Sequence, residues 1–383
     1  MPTDPWNTFA AVVADPYTGW SARYPGQRAC GVLCTYAPEE ILHAAGFVPV
    51  RLLPLPSPLP ESGRGRGRGL GDTSEAHLQS YTCSLARNVL EQGLQGRFTF
   101  LEGVLFSHTC DTMQGLADIW RLNFPSQFVA TVVQPVALAS PQAQTYLVAE
   151  LHQFIARLEA QFDITITDEA LRTSIRLYNQ NRDLLRQLYA VRERLSSVVV
   201  WQAVTAAMLM PKEEHNALLS RAIGAMAGEA AIPADSASPA RLILTGATLD
   251  DATLLEVIEA AGARVVADDL CTGARYFDTP VAVKGDPIAA LAQRQLQRLP
   301  CPCKYRSLDA RAQHLLALAA RHHADGVIFV LKKFCEPHAW DYPYLAAALT
   351  KSGLPHLLLE TEQTTPVEQV RTRVEAFLEM LKK

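Results

Sequence analysis

Residues 99–112 have the sequence Thr-Phe-Leu-Glu-Gly-Val-Leu-Phe-Ser-His-Thr-Cys-Asp-Thr, an apolar run that ends in a polar turn. The run from Thr99 to Phe106 predicts a buried strand, and the residues after Cys110 predict a helix. In an α/β sheet, such a strand-to-helix turn lies at the mouth of the sheet, near the helix N-terminal amides. A cysteine placed there favours its thiolate form, which is a metal ligand or a nucleophile.

Strand and helix patterns alternate on both sides of this stretch. A strand–helix–strand unit surrounds Cys34, and further strands are predicted at 47–52, 98–106, 128–135, 241–246, 263–267, 326–331 and 355–359. Helices are predicted at 5–16, 80–93, 111–121, 250–261, 287–297, 307–323, 343–352 and from about 366 to the end. This alternation predicts an α/β protein with two Rossmann-like (flavodoxin-like) parallel-sheet domains.

Between the two α/β halves, residues 142–228 show long helical patterns and no strand pattern. We therefore predict an N-terminal α/β domain over 1–140, a helical arm and linker over 141–238, and a C-terminal α/β domain over 239–383. The polar face of the helix that reaches about residue 194 is expected to face solvent or another subunit; it carries Arg172, Asn179, Asn181, Arg182 and Arg186.

Residues 54–73 are rich in proline, then in alternating glycine and arginine at Arg64, Arg66 and Arg68. They are either a surface loop or a cationic flap for an anionic substrate such as a nucleotide-tailed thioester.

The composition is that of a well-buried protein, with 49% hydrophobic and 19% charged residues in 383 and a net charge of -4. The negative balance argues against a general nucleic-acid binder. No apolar run is long enough to span a bilayer, and the N-terminus lacks a signal pattern, so we expect a cytoplasmic protein. In that compartment the eight cysteines do not predict a disulfide framework.

Three cysteines, Cys83, Cys110 and Cys335, lie at predicted element ends in both α/β domains. Their wide spacing excludes a zinc ribbon, which needs close pairs. It is compatible with a three-thiolate iron–sulfur cubane in the cleft between the domains, with one iron free to act as a Lewis acid. The alternative is that they are scattered structural cysteines.

A second group consists of Cys34, Cys271, Cys301 and Cys303, which are either further ligands or small buried residues at tight turns. Two cysteine–histidine pairs are alternative nucleophile sites, Cys335 with His338 and Cys110 with His108. The chain has no P-loop and no GxGxxG motif, so neither ATP nor dinucleotide binding is supported. An electron-carrying or scaffold protein without enzymatic activity is a further alternative.

Several ordered motifs resemble the 2-hydroxyacyl-CoA dehydratase and benzoyl-CoA reductase family over nearly the whole chain. They are the segment from Cys34 to Pro49, Ser80-Tyr-Thr-Cys-Ser-Leu-Ala-Arg87, His108-Thr-Cys-Asp-Thr-Met-Gln-Gly115, Asp269-Leu-Cys-Thr-Gly-Ala-Arg275, Cys301-Pro-Cys-Lys304 and Lys333-Phe-Cys-Glu-Pro-His338. The resemblance implies a lyase or an acyl-CoA reductase subunit. By that resemblance, Cys83, Cys110 and Cys335 hold a 4Fe-4S cubane.

The resemblance also implies partners and a chemistry. A dimer forms with a related sister subunit, and a separate ATP-hydrolysing iron–sulfur activator supplies one low-potential electron. The electron produces a ketyl radical that expels a 2-hydroxyl group, or it reduces an aromatic thioester ring, and oxygen sensitivity is expected. The alternative within the family is a homodimeric 8Fe-9S double-cubane reductase of small molecules, with Cys34, Cys271 and Cys301 or Cys303 as extra ligands.

Few residues are candidates for acid–base work or substrate contacts. Thr35, Glu40 and His108 are the candidate catalytic residues, although Glu40 in a helix first turn also has a simple structural role. Tyr36 is a further candidate for contact with the substrate. Arg275 is the candidate for a CoA phosphate, with an ordinary ion pair as the alternative.

Overall fold

The structure of the protein, a computed structural model, describes residues 4–55, 73–226, 239–299, 301–307, 309–362 and 365–382. The strands in these residues are β1 (Arg28–Val32), β2 (Phe47–Arg51), β3 (Leu101–His108), β4 (Phe128–Val133), β5 (Ala240–Gly246), β6 (Ala263–Asp269), β7 (Gly326–Lys332) and β8 (His356–Thr361). They form two parallel sheets, with the equivalent orders β2-β1-β3-β4 and β6-β5-β7-β8. The predicted α/β class with two parallel sheets is confirmed.

Helices connect the strands and cover both sheets. They are α1 (Pro5–Ala14), α2 (Trp20–Arg23), α3 (Glu39–Ala44), α4 (Ser84–Leu94), α5 (Asp111–Asn123), α6 (Ala143–Phe162), α7 (Asp168–Ala190), α8 (Ser197–Ala206), α9 (Lys212–Met226), α10 (Thr253–Ala260), α11 (Ala274–Phe277), α12 (Pro287–Gln297), α13 (Ala310–Arg321), α14 (Glu336–Lys351) and α15 (Val367–Leu381). Two 3-10 turns are present at Ser74–Ala76 and Arg192–Arg194. None of the helices in the described ranges is both long and apolar enough to cross a bilayer.

Strand β3 begins at Leu101, three residues later than the predicted start at 98. Phe98 and Phe100 precede it and pack in an aromatic cluster instead of a strand ladder. Phe98 meets Tyr17 edge-on with ring centroids 5.0 Å apart, and Phe100 stacks on Trp20 at 5.1 Å. A strand and an aromatic cluster both need apolar residues, so the sequence pattern did not separate them.

Helix α14 begins at Glu336, directly after Cys335, whereas the sequence predicted a helix over 343–352. Pro337 lies in its first turn, where a backbone N–H would have no acceptor within the helix, so the N–H that proline lacks costs no hydrogen bond. Pro343 lies inside the helix. Proline is more typical of a helix start than of a helix interior, and the predicted start at 343 was wrong.

The helical segment does not extend away from the sheets. Leu147, Leu151 and Phe154 of α6 share one core with β1 and β4, while α8 and α9 share a second core with the opposite face of the same sheet. Helix α12, from the second half of the sequence, also contributes Ile288 and Leu291 to the core with α6. These helices form the two covering layers of the first sheet, and the domain limits at 140 and 238 remain a prediction.

The second sheet lies between two further apolar cores. One joins β5 and β7 to α10 and α15, and the other joins β7 to α13 and α14. In each sheet the chain reverses its order between two neighbouring strands, β1 and β3 in the first and β5 and β7 in the second. The crevice outside the carboxyl ends of such strands is where ligands bind in open α/β sheets.

The carboxyl ends of the two sheets face each other. A bridge pairs Ala137, after β4, with Tyr305 from the second half, and the Leu138 amide donates to the Tyr305 carbonyl at 2.8 Å. Arg87 of α4 forms an ion pair with Glu362, after β8, at 3.3 Å. These contacts join the two halves of the chain. Residues 56–72 of the proline- and glycine-rich segment lie outside the described residues, as do residues 227–238 at the end of the predicted helical arm and linker.

Candidate metal centre

Cys83, Cys110 and Cys335 each occupy the N-cap of a helix, at α4, α5 and α14. Cys110 follows β3 and Cys335 follows β7, so each comes from the strand that flanks the reversal point of its sheet. Backbone amides of the first helical turn face the sulfurs, those of Met113 and His338 for the latter two. Helix N-termini favour negative charge, so this placement suits thiolates.

These three thiols interact with one another electrostatically. Burial, together with the neighbouring Cys83 and Cys110 thiols, raises the pKa of Cys335 to about 12. Burial likewise raises the pKa of Cys110 to about 12 and raises that of Cys83. Without a bound cation these thiols are therefore protonated near neutral pH, so metal binding must release protons.

The second group of cysteines lies near the first. Cys110 interacts with Cys34 and Cys301, Cys335 interacts with Cys271, and Cys303 interacts with Cys110 and Cys34. The network thus contains seven of the eight free cysteines, namely Cys34, Cys83, Cys110, Cys271, Cys301, Cys303 and Cys335. The eighth, Cys30, lies inside β1 and is 2% exposed.

Cys301 and Cys303 lie close enough to share a proton despite the rigid Pro302 between them. The Cys303 thiol donates to the Cys301 sulfur and lowers the pKa of Cys301 to about 6, an effect that burial opposes and the Arg275 charge supports. The same bond raises the pKa of Cys303. Both sulfurs of this pair therefore point to one side, which the sequence alone did not determine.

A buried cationic shell surrounds the thiols. Arg275 is 2% exposed and holds Asp269 in two bonds, Nε to Oδ1 at 2.6 Å and Nη2 to Oδ2 at 2.7 Å. Its Nη1 donates to the Gly246 carbonyl at 3.0 Å and lies 3.6 Å from the Cys271 sulfur. These contacts fit the ion-pair alternative better than a CoA phosphate, and a CoA role of Arg275 stays a prediction.

The two histidines next to ligand candidates differ in their surroundings. His338 Nδ1 lies 3.4 Å from the Cys335 sulfur, and burial, with Arg275 and Arg311 nearby, lowers the pKa of His338 to about 3. A neutral imidazole beside a protonated thiol does not form the ion pair of an activated cysteine nucleophile. His108 ends β3 two residues before Cys110 and is half-buried. Its catalytic role stays a prediction.

Thr35 and Glu40 line a small cavity of about 10 Å³, roughly the size of one water molecule. The Thr35 carbonyl accepts a hydrogen bond from Arg298. Glu40 is 1% exposed and pairs with Arg182 of α7. Burial alone would raise the pKa of Glu40, but Arg182 and Arg294 hold it below its usual value. Glu40 is therefore a charged partner in a buried ion pair, and a catalytic role for it remains a prediction.

Arg182 and Asn181 were expected on a solvated or inter-subunit face of α7, and both are buried. Asn181 donates to Asn216 at 2.7 Å, and Arg182 reaches Glu40 in α3. The expectation was wrong because the helix carries polar residues on a side that is covered by α3 and α9. Arg186, farther along, pairs with Asp183 near the surface and fits the expectation.

Sequence reasoning missed the buried partners of these groups. Lys212 of α9 is 4% exposed; it donates to the Tyr276 hydroxyl and lies 3.7 Å from Glu39. Burial lowers the pKa of Lys212 to about 8, an effect that Glu39 opposes. Lys212 and Glu39 are far apart in sequence, so no spacing pattern indicated this pair. Of the buried pairs described here, only Asp269 and Arg275 lie close in sequence, six residues apart at the end of β6, so only that ion pair could have been suggested by the sequence.

The donor set suits an iron–sulfur cluster. Thiolate sulfur is the usual protein ligand of such clusters, and the helix N-termini and arginines here would offset the negative charge of a bound cluster. The Tyr36 hydroxyl, beside Cys34, is buried and lacks a hydrogen-bond partner among the described residues. No three His, Cys, Asp or Glu side chains in those residues are arranged to share a single metal ion. The ligands of a cubane bind different irons and do not need that arrangement.

Comparisons with known proteins agree with the motifs. Residues 34–381 match the family model for 2-hydroxyglutaryl-CoA dehydratase, D-component. A benzoyl-CoA reductase subunit from Thauera aromatica is 29% identical, and the match covers 95% of this chain and 93% of the relative. Lactoyl-CoA dehydratase subunit beta of Anaerotignum propionicum is 28% identical over 93% and 92%. The (R)-phenyllactyl-CoA dehydratase beta subunit of Clostridium sporogenes is 26% identical over 98% of each.

Proposed function

The chain belongs to the 2-hydroxyglutaryl-CoA dehydratase, D-component family, and from that premise we propose that it is an iron–sulfur subunit of an acyl-CoA dehydratase or reductase. The observation that carries the proposal is the convergence of seven thiols at the facing ends of the two sheets. A structural role would scatter cysteines through the cores, as with Cys30 in β1.

In this proposal Cys83, Cys110 and Cys335 hold a cubane. When bound, such a cluster supplies one-electron transfer at low potential to an acyl-CoA thioester. The protein contributes the three helix N-termini, which stabilise the negative charge of the thiolates. Arg275, fixed by Asp269, places a further positive charge next to Cys271.

A second candidate has support from one observation. Cys34, Cys271, Cys301 and Cys303 form a second set of thiols continuous with the first, so the centre has enough sulfur donors for an 8Fe-9S double cubane. In that case the protein is a homodimeric reductase of small molecules.

The partners in this proposal are a sister subunit and an activator. The relatives from Thauera and Anaerotignum are named as subunits, so a paired chain is expected here as well. The sequence has no P-loop, so the ATP hydrolysis that drives electron delivery would lie on a separate activator protein.

The proposal is tested by the response of the reduced centre to thioesters. Anaerobically purified protein is mixed with lactoyl-CoA, phenyllactyl-CoA or benzoyl-CoA, and the electron paramagnetic resonance spectrum is recorded. We expect at least one thioester, and not free CoA, to change the spectrum. A centre whose spectrum is unaffected by every thioester would support a pure electron carrier and contradict acyl-CoA chemistry.

A further inference from the structure

Tyr36 is a buried phenol whose hydroxyl is unsatisfied. Its side chain is 2% exposed, and the hydroxyl has no hydrogen-bond partner in the described part of the chain. A buried hydroxyl without a partner is unfavourable by about 1–3 kcal/mol, so such groups usually point at a ligand or an ordered water. The burial leaves little room for the direct substrate contact that the sequence suggested for Tyr36.

The position of Tyr36 is fixed from both halves of the chain. Its carbonyl accepts from Gln134 Nε2 at 3.2 Å and from Gln295 Nε2 at 3.3 Å, and the neighbouring Thr35 carbonyl accepts from Arg298. Gln134 follows β4 and Gln295 belongs to α12, so the peptide is held between the two halves. The side chain is thereby held in place without any bond to its own hydroxyl.

The phenol lies near two of the thiols and close to two cations. It interacts electrostatically with the thiols of Cys301 and Cys34. The hydroxyl of a phenol is a hydrogen-bond donor, and no group in the described residues accepts a bond from it. Arg298 lies over its ring at 4.7 Å from the centroid, and Lys304 Nζ lies at 5.5 Å. Cations near an aromatic ring withdraw electron density from it, which favours donation by the O–H.

We propose that the Tyr36 hydroxyl donates a hydrogen bond to a sulfur of the iron–sulfur centre and thereby raises its reduction potential. The inference rests on the proposed cluster. A hydrogen bond to a cluster sulfur withdraws negative charge and stabilises the reduced state more than the oxidised state. Tyr36 is in this account a positioning residue that tunes the cluster and takes no part in proton transfer.

The test compares two buried tyrosines. Tyr36→Phe and, as a matched control, Tyr178→Phe are purified anaerobically, and the midpoint potential and iron content are measured. Tyr178 is 3% exposed and its hydroxyl is also unpartnered within the described residues, but it lines the cavity at Glu39 and Glu40. We expect a more negative potential only in Tyr36→Phe, with the wild-type iron content in both variants.

An unchanged potential in iron-replete Tyr36→Phe would overturn the inference, as would a selective loss of iron in that variant. A wild-type protein without iron would instead overturn the proposed function itself. A second measurement covers the case in which Tyr36→Phe does not fold. Electron–nuclear double resonance of the reduced wild-type centre after exchange into D₂O should show an exchangeable deuteron coupled to the cluster, and its absence would contradict the hydrogen bond.

Discussion

At the scale of single residues, Glu40 is either the structural partner of Arg182 or a catalytic residue, and the free energy of unfolding of a Glu40 variant distinguishes these two roles. If it serves as the partner of Arg182, its replacement leaves the buried Arg182 without its carboxylate. Breaking a buried ion pair typically lowers the free energy of unfolding by about 3–5 kcal/mol.

We therefore expect Glu40→Gln to lower the free energy of unfolding by about 3 kcal/mol in urea titrations. Glu102→Gln is the control, because its pair with Arg28 is about two-fifths exposed and should change stability by less than about 1 kcal/mol. Equal stability of Glu40→Gln and the wild type would contradict the structural role and favour the catalytic prediction.

Lys212 makes stability depend on pH. Its pKa is about 8 in the folded protein against an ordinary value of 10.5, chiefly because of burial. Between those values the unfolded chain binds a proton that the folded protein does not, so the free energy of unfolding rises with pH. Below about pH 8 both states are protonated and the burial penalty is complete.

We expect Lys212→Met to lack this rise. The difference in free energy of unfolding between wild type and Lys212→Met should grow in favour of the wild type from pH 8 to 10.5. This difference is measured by denaturant titration of both proteins at several pH values. The effects of other groups that titrate in both proteins cancel in it. A difference that stays constant with pH would show that the folded-state pKa of Lys212 is not depressed.

At the scale of elements, the strands were easier to predict than the helix ends. A fully buried parallel strand such as β7 has a continuous run of apolar residues, and a run of that short length is typical of a strand. Helix α14 starts earlier than predicted because Pro337 marks its first turn, while Pro343 is tolerated inside it. Proline often marks the start of a helix, but the sequence alone does not show which of two nearby prolines lies inside the helix.

The interior proline of α14 gives a prediction of its own. An interior proline is about 3 kcal/mol less favourable than alanine, while its loss makes the unfolded chain more flexible. We expect Pro343→Ala to raise the free energy of unfolding by about 1–2 kcal/mol, measured by thermal and urea unfolding.

Pro287→Ala is the control, because Pro287 lies in the first turn of α12, where proline is well tolerated. It should leave stability within about 1 kcal/mol of the wild type. A destabilised Pro343→Ala would show that the proline ring packs against its neighbours more favourably than the helix geometry indicates.

At the scale of the whole molecule, the sequence predicted both sheets and the position of the three cysteines at element ends. It divided the remaining cysteines into a separate group, because the approach of Cys301 and Cys303 to Cys110 depends on how the two halves meet. It also did not predict that α12 packs beside α6. Contacts between distant segments depend on packing, and a single sequence carries no local signal for them.

The central claim is that the seven-thiol centre binds an iron–sulfur cluster, and iron and sulfide counting tests it most directly. Anaerobically purified wild type, Cys110→Ala and the buried control Cys30→Ala are compared. The account predicts about four irons per chain in wild type and Cys30→Ala and a clear loss in Cys110→Ala, whereas about eight would select the double cubane. Wild-type protein that holds no iron after anaerobic reconstitution, or Cys110→Ala that holds as much as wild type, would contradict it.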